Sequence, residues 1–391
     1  MLQVVWLKRD IRLTDHRPLY EASIAGPVLL VYVAEPSIWQ AGDLSKRHLR
    51  FVAQSLLDIQ HQLQVHGIPL FTAIAEMEVV LASIHQVFGS FRLLAHEENA
   101  APNTFARDMR VHRWMRAKGL EFIEYQHFGV TRRLADRDQF QALWQQFMTQ
   151  SLLPPPKRIE VPPAILIEQL LSDRVLRNGV QIEQFIDVPG ELIINGQIGG
   201  EQQARLVFAE FLAERYENYQ YHISKPYDSM RSCARISAYL AWGNLSIREV
   251  VQQTWQAIHA APPSKRRHLQ AFLSRLHWHC HFIQRIEDQP QIALTTMNPA
   301  FEGIRSHHEQ WLAAWQQGKT GYPAVDAAMR SLHQTGWLHF RGRAMIISFV
   351  CNTLLLDWRE PARILAQLFL DYEPGIHYSQ VQMQAGTTGF N

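Results

Sequence analysis

Val4-Val5-Trp6-Leu7, Val28-Leu29-Leu30-Val31-Tyr32-Val33 and Phe91-Arg92-Leu93-Leu94 are short apolar runs set between stretches of helical periodicity. Runs of this length, repeated in alternation with helices, read as buried strands of a parallel sheet joined by crossover helices. A weaker fourth run surrounds Phe122-Ile123. Leu49, Val52, Leu56 and Leu63 fall on one helical face, as do Met77, Val80, Leu81, Ile84 and Val87. The expectation is an α/β, Rossmann-like N-terminal domain over residues 1–135. Such sheets bind ligands at the carboxyl ends of their strands. The first strand is not followed by Gly-x-Gly-x-x-Gly, which argues against a dinucleotide on that turn.

Outward from this sheet the chain changes character. Pro154-Pro155-Pro156, Pro162-Pro163 and Asn195-Gly196 interrupt regular structure, so residues 136–200 read as a connector between domains. From residue 201 strand signals vanish and helix follows helix, the first with Ala204, Val207, Phe208, Phe211 and Leu212 on one face. Residues 201–391 are therefore expected to form an all-α domain. The length of 391 residues suits two domains, and 47% hydrophobic residues can fill two large cores. A net charge of +2 argues against a polybasic coat yet permits a local basic face. Cys233, Cys280 and Cys351 are too few and too scattered for a disulfide framework or an all-cysteine cluster, and a reducing, cytoplasmic setting is expected. The opening is apolar only as far as Lys8, and no run is long enough to span a bilayer.

The helical half holds the unusual chemistry. Seven of the 11 tryptophans lie beyond residue 240. A helical domain this aromatic suits a flat conjugated ligand held between helices. His277-Trp278-His279-Cys280-His281 is rich in metal-capable groups, but no carboxylate stands at ligand spacing and no metal is expected; histidines lining a polar cavity are. Lys265-Arg266-Arg267-His268 is expected to open a helix, and Arg275, Arg285, Arg341 and Arg343 could extend it into a phosphate-tracking patch.

Several blocks together resemble the photolyase/cryptochrome family, over nearly the whole chain. They are Val5-Trp6-Leu7-Lys8-Arg9-Asp10-Ile11-Arg12-Leu13, the segment Ala234–Ser246, and Trp315–Arg330 continuing through Thr335-Gly336-Trp337-Leu338-His339 to Asp357-Trp358-Arg359-Glu360. The resemblance implies an antenna role for the α/β domain and an FAD-binding role for the helical one. It implies flavin contacts at Tyr219, Cys233, Ile236, Ser237, Trp278, His279, Glu373 and His377, with Arg343 and Asp371 as a buried ion pair beside the ring. Hydroxyls and helix N-termini would suit the diphosphate. Trp278 and Trp337 match positions that pack against bases flipped out of a duplex, with Arg275 and Arg341 beside them on the DNA side. The implied activity is light-driven repair of pyrimidine photoproducts in DNA by a monomeric protein, with a folate or deazaflavin antenna near His96-Glu97-Glu98-Asn99 and Arg107-Asp108.

Several positions depart from the family pattern. Arg275 stands where a pocket glutamate is usual, and Phe340 where an asparagine follows His339. His377 replaces the asparagine facing flavin N5, a titratable ring in place of an amide. Of the three tryptophans that feed electrons to the flavin only Trp358 matches; Val381 and the Arg305-Ser306 region replace the others, leaving Tyr372 and Tyr378 as candidate substitutes. Cys233-Ala234 removes hydroxyls from the phosphate segment. The chain stops at Gly386-Thr387-Thr388-Gly389-Phe390-Asn391, short of the family's later motifs, and is expected to be cut there. A cryptochrome-like blue-light receptor and an inactive remnant are the competing readings.

Overall fold

A computed structural model describes residues 1–184 and 186–389; Phe390 and Asn391, in the terminal segment just quoted, lie outside the described residues. Six strands form one sheet: β1 (Leu2–Leu7), β2 (Val28–Val33), β3 (Leu70–Ala73), β4 (Phe91–His96), β5 (Glu121–Tyr125) and β6 (Leu176–Asn178). Their order is β5-β4-β1-β2-β3-β6. The first five run parallel, and β6 pairs antiparallel with β3 through Phe71–Asn178, Thr72–Arg177 and Ala73–Leu176.

Neither β3 nor β6 is evident from the sequence. Leu70-Phe71-Thr72-Ala73 is too short to stand out. Leu-Arg-Asn at 176–178 has almost no apolar signal, because an edge strand packs by backbone pairing. The connector is thus partly a sheet element, and it also holds helices Phe140–Met148 and Ala164–Ser172.

The central strands are buried on both faces, which explains their unbroken apolar runs. Side chains alternate between two cores. Leu2, Val4, Trp6, Leu29, Val31 and Val33 pack against the helix Met77–Phe88 and its neighbours. Val5, Leu7, Leu30 and Tyr32 point the other way, into a core that continues through Phe208, Trp242, Trp315 and Trp358 of the helical half. One sheet face and the helical half share a single apolar interior.

That junction is sealed by the loop after β1. Ile11 N–H donates to the Trp242 carbonyl at 3.3 Å, Arg12 Nη1 to the Gly243 carbonyl at 3.1 Å, and Asn244 Nδ2 to the Ile11 carbonyl at 2.9 Å. Asp15 accepts from Ser246 and from Arg248, and Glu201 accepts from Leu13 N at 2.7 Å. Gly243 has φ +71°, and a Cβ there would lie 2.2 Å from the Arg9 carbonyl oxygen and 2.4 Å from Asp10 Cα. Among the described residues no helix is long and apolar enough to cross a membrane.

Gly243→Ala is therefore expected to lower unfolding stability by about 2–5 kcal/mol, combining left-handed backbone strain with a backbone clash. Gly119→Ala, at φ +67° with nothing within 4 Å of the new Cβ, is expected to cost only about 1–2 kcal/mol. Urea denaturation of both variants separates the two contributions.

Candidate functional site

The helix Pro263–Asp288 begins at the basic run, where Pro262-Pro263 presets the first turn, and extends 26 residues. Its periodicity divides the histidine cluster. His279 faces a cavity, whereas His277 packs against Phe140 and Trp144, and His281 against Phe140 and Trp278. The expectation that these histidines jointly line a cavity thus holds for His279 alone. The helix Pro374–Ala385 lies across the first, with Gly375 at the contact: a Cβ there would come within 2.7 Å of Ile283 Cα. Helix Phe340–Ser348 and the segment Cys233–Leu240 complete the walls.

The cavity has an empty volume of about 1570 Å³ up to its open mouth. It gathers Tyr219, Cys233, Ile236, Ser237, Arg275, Trp278, His279, Trp337, Arg343, Asp371, Glu373 and His377. Trp278, 44% exposed, and Phe340, 40% exposed, stand at the mouth with the exposed Arg275. Arg341 is exposed beside Phe340, its guanidinium 5.3 Å from the ring centre, outside the cavity lining. Trp358 lies buried behind the wall, 6.4 Å from the Tyr378 ring.

Arg343 and Asp371 form a two-pronged ion pair, Nη1–Oδ1 at 3.0 Å and Nη2–Oδ2 at 2.7 Å. Arg343 also donates from Nε to the Leu338 carbonyl at 2.9 Å and lies over the Phe369 ring at 4.2 Å. Burial alone would raise the Asp371 carboxyl, but Arg343 and the Ser237 hydroxyl hold it below the usual carboxylate range. Ser237 thus serves the ion pair as well as facing the cavity.

His377, the titratable ring that replaces an amide, is neutral here. Its Nε2 contacts the Ala362 carbonyl at 2.9 Å, and since a carbonyl only accepts, Nε2 carries the proton. Burial depresses the ring to about 4, so it is neutral at pH 7. Glu373 moves the opposite way. Burial raises its carboxyl to about 7, with Arg9 pulling it down and Glu98 pushing it up. Its Oε1 has no hydrogen-bond partner among the described residues.

One residue escaped the sequence reading. Arg235 lines the cavity in a left-handed conformation (φ +59°), with its guanidinium 4.1 Å from the Trp337 ring centre and its buried Nε without a hydrogen-bond partner among the described residues. Its carbonyl accepts from Gln197 Nε2 at 2.6 Å, while Arg215 Nη1 holds the Cys233 carbonyl at 2.7 Å. The five-residue helix Ser237–Ala241 is too short for a strong dipole, so Arg235 supplies the positive charge on this wall. Burial raises the Cys233 thiol to about 11, leaving it neutral. Apolar walls, planar rings, three guanidiniums and unpaired polar atoms fit a flat heterocycle carrying phosphates.

The family model described as the FAD binding domain of DNA photolyase matches residues 272–391, and that described as DNA photolyase matches residues 3–132. The chain belongs to the photolyase/cryptochrome family. It is similar to the deoxyribodipyrimidine photo-lyase of Salmonella typhimurium, 26% identical over 405 residues, covering 98% of this chain and 82% of that one. Among solved structures, the class III photolyase of Agrobacterium tumefaciens superimposes with a TM-score of 0.84 at 22% identity, over 98% of this chain and 79% of that one. The cryptochrome of Synechocystis sp. PCC6803 gives 0.83 at 20% identity, over 100% and 83%. The α/β and all-α halves expected from sequence are those of the photolyase fold.

Because folded Glu373 keeps a proton that the unfolded chain releases near pH 4.5, it erodes stability as pH rises from 4.5 to about 7. Glu373→Gln is expected to remove that decline, worth on the order of 1–3 kcal/mol, while leaving the loss at low pH that comes from protonating Asp371. Thermal unfolding midpoints between pH 3 and 8, wild type against variant, read this directly.

Proposed function

We propose that this photolyase-family protein splits ultraviolet-induced pyrimidine photoproducts in DNA, driven by light and dependent on FAD. The observation that carries the reading is the cavity, which joins a closed polar floor to an aromatic, cationic mouth. Arg235 would hold the diphosphate, helped by Ser237 and by the backbone around Cys233 and Ile236. The Arg343–Asp371 pair, Glu373 and neutral His377 would surround the ring, with Tyr219, Trp278 and His279 on its flanks. When bound and reduced, FAD would supply light-driven one-electron chemistry to a dimer held at the mouth.

The remaining work falls to the mouth. Trp278 and Trp337 offer planar surfaces on which flipped bases stack, at about 1–3 kcal/mol per base. Arg275 and Arg341 meet phosphates, and Arg275 also places a positive charge where a dimer radical anion would form. The protein acts as a monomer on its DNA. A second, smaller pocket, lined by Trp6, Lys8, Arg9, Tyr32, Glu98 and Arg107, lies at the carboxyl ends of β1 and β2. An antenna chromophore of the folate or deazaflavin type would be held at this end of the sheet.

One observation favours the cryptochrome-like receptor as a second reading. Arg275 lies 5.8 Å from the Phe340 ring, so a cation and an apolar ring fill a mouth where the family pattern has a glutamate and an asparagine.

Reconstituted with FAD, reduced anaerobically and lit with blue light, the protein is expected to restore base absorbance to ultraviolet-irradiated oligothymidine. Arg275→Ala is expected to weaken binding to that DNA about tenfold and to reduce the log–log salt slope by about 1. Bound flavin without repair of cyclobutane or (6-4) substrates would transfer the assignment to the receptor. A protein that takes up no flavin would overturn both readings.

A further inference from the structure

Three rings and one carboxylate stand behind the cavity floor. Tyr372 lines both cavities. Its hydroxyl donates to Asp43 Oδ2 at 2.8 Å, and the Tyr378 hydroxyl reaches the same oxygen at 3.3 Å. The two tyrosine rings lie 6.5 Å apart, and Tyr378 lies 6.4 Å from Trp358. Each tyrosine ring is 5.2 Å from His377. Asp43 belongs to the loop before helix Lys46–Gln64, more than 300 residues away in sequence, so only the docking of the two halves brings it here.

An isolated tyrosine is a poor electron donor because its radical cation must lose a proton at once, and in a dry interior that proton needs a base. Asp43 is such a base, already hydrogen-bonded to two phenols. Burial raises its carboxyl above the usual range, against the phenols and Arg363, and so strengthens it as a proton acceptor. Burial also raises both phenols, with the Asp43 charge acting in the same direction, so they remain protonated until oxidised. The other polar groups around Tyr372 leave its hydroxyl to Asp43: Arg9 Nη2 donates to its carbonyl, and the His48 ring sits 6.5 Å away with Nε2 committed to the Phe369 carbonyl.

We propose that Tyr372 and Tyr378, with Asp43 as their shared proton acceptor, form a proton-coupled electron relay into the cavity, in place of the tryptophan chain of which only Trp358 remains. The proposal rests on the flavin reading above. Tyr372 gives one electron to a photoexcited oxidised isoalloxazine in the cavity, and its phenol proton moves to the Asp43 carboxylate. The neutral tyrosyl radical can pass to Tyr378, which hydrogen-bonds to the same oxygen. An added thiol returns the electron, Asp43 returns the proton, and the phenol is restored. Asp43 acts through the tyrosines and is a positioning and proton-accepting residue.

The test uses the FAD-loaded protein with excess dithiothreitol, without oxygen, under blue light. Wild type should photoreduce with a solvent deuterium isotope effect and show a neutral tyrosyl radical by flash photolysis and electron paramagnetic resonance. Asp43→Asn keeps a carbonyl acceptor for the phenols but cannot take their proton. It should bind flavin normally, slow photoreduction by about tenfold or more, and lose the isotope effect. Tyr372→Phe should do the same, and Asp43→Glu should recover part of the rate. In flavin-free protein, Asp43→Asn should lower the alkaline midpoint of tyrosine ionisation followed in the near ultraviolet. Coloured variants that photoreduce at the wild-type rate, or a tryptophanyl radical alone, would overturn the relay and leave the flavin reading standing. A colourless wild type would end both, and the tyrosine titration would still report whether the Asp43 contacts exist.

Discussion

The clamp between the loop after β1 and the segment Trp242–Arg248 is the constraint on which the rest of the molecule depends. It buries Asp10, Arg12 and Asp15, charges that are costly to dehydrate and tolerable only because each is hydrogen-bonded. Asp10 accepts from His16 Nε2 at 2.9 Å, from His96 Nδ1 at 2.7 Å and from Lys8 N at 2.6 Å. Leu19 N–H donates to His16 Nδ1, so both nitrogens of that ring are engaged and the group is a structural knot with no free set of metal donors. These directional bonds set the angle between sheet and helices in a way that the shared apolar core alone would not.

From that angle follows the relation between the two cavities. Arg9, at the carboxyl end of β1, donates from Nε to the Ala241 carbonyl at 3.0 Å, and its guanidinium lies 4.5 Å from the Trp242 ring centre. The same guanidinium reaches the Tyr372 carbonyl, so the wall between sheet-end cavity and helical cavity is one residue thick at that point. Trp39 stacks on Trp242 with ring centres 6.0 Å apart, continuing an aromatic layer along the seam. Charge and polarisable rings are thus concentrated where the two halves meet.

Within the helical cavity, burial acts on neighbouring groups in opposite directions. Glu373 rises towards neutrality, His377 falls well below it, and Asp371 stays ionised because Arg343 grips it. The floor at pH 7 therefore holds one firm ion pair, one neutral imidazole and one carboxyl near its midpoint. Such divergence among close titratable groups is what distinguishes a chemical site from a packed core. The mouth is different, since Arg275, Trp278 and Phe340 meet solvent.

Much of this was legible in the chain itself. Apolar runs of strand length and helical faces such as Leu49/Val52/Leu56 declare their period locally, because burial on a two-faced sheet or one helix face writes directly into residue order. The family resemblance likewise named most of the cavity residues by number. What the residue order could not disclose depends on contacts between distant segments. β6 is a strand only because β3 offers it an edge. The His277–His281 cluster splits because Phe140 and Trp144 cover one side of its helix. Arg235 joins the cavity lining in a left-handed backbone conformation, and His377 is neutral because burial holds it so, with the Ala362 carbonyl fixing its tautomer. Asp43 gained its two phenols only when the halves docked. Local pattern determined the elements, and the family resemblance the candidate residues; tertiary structure decided charge state, tautomer and partner, because these depend on desolvation and on atoms brought together from hundreds of residues apart.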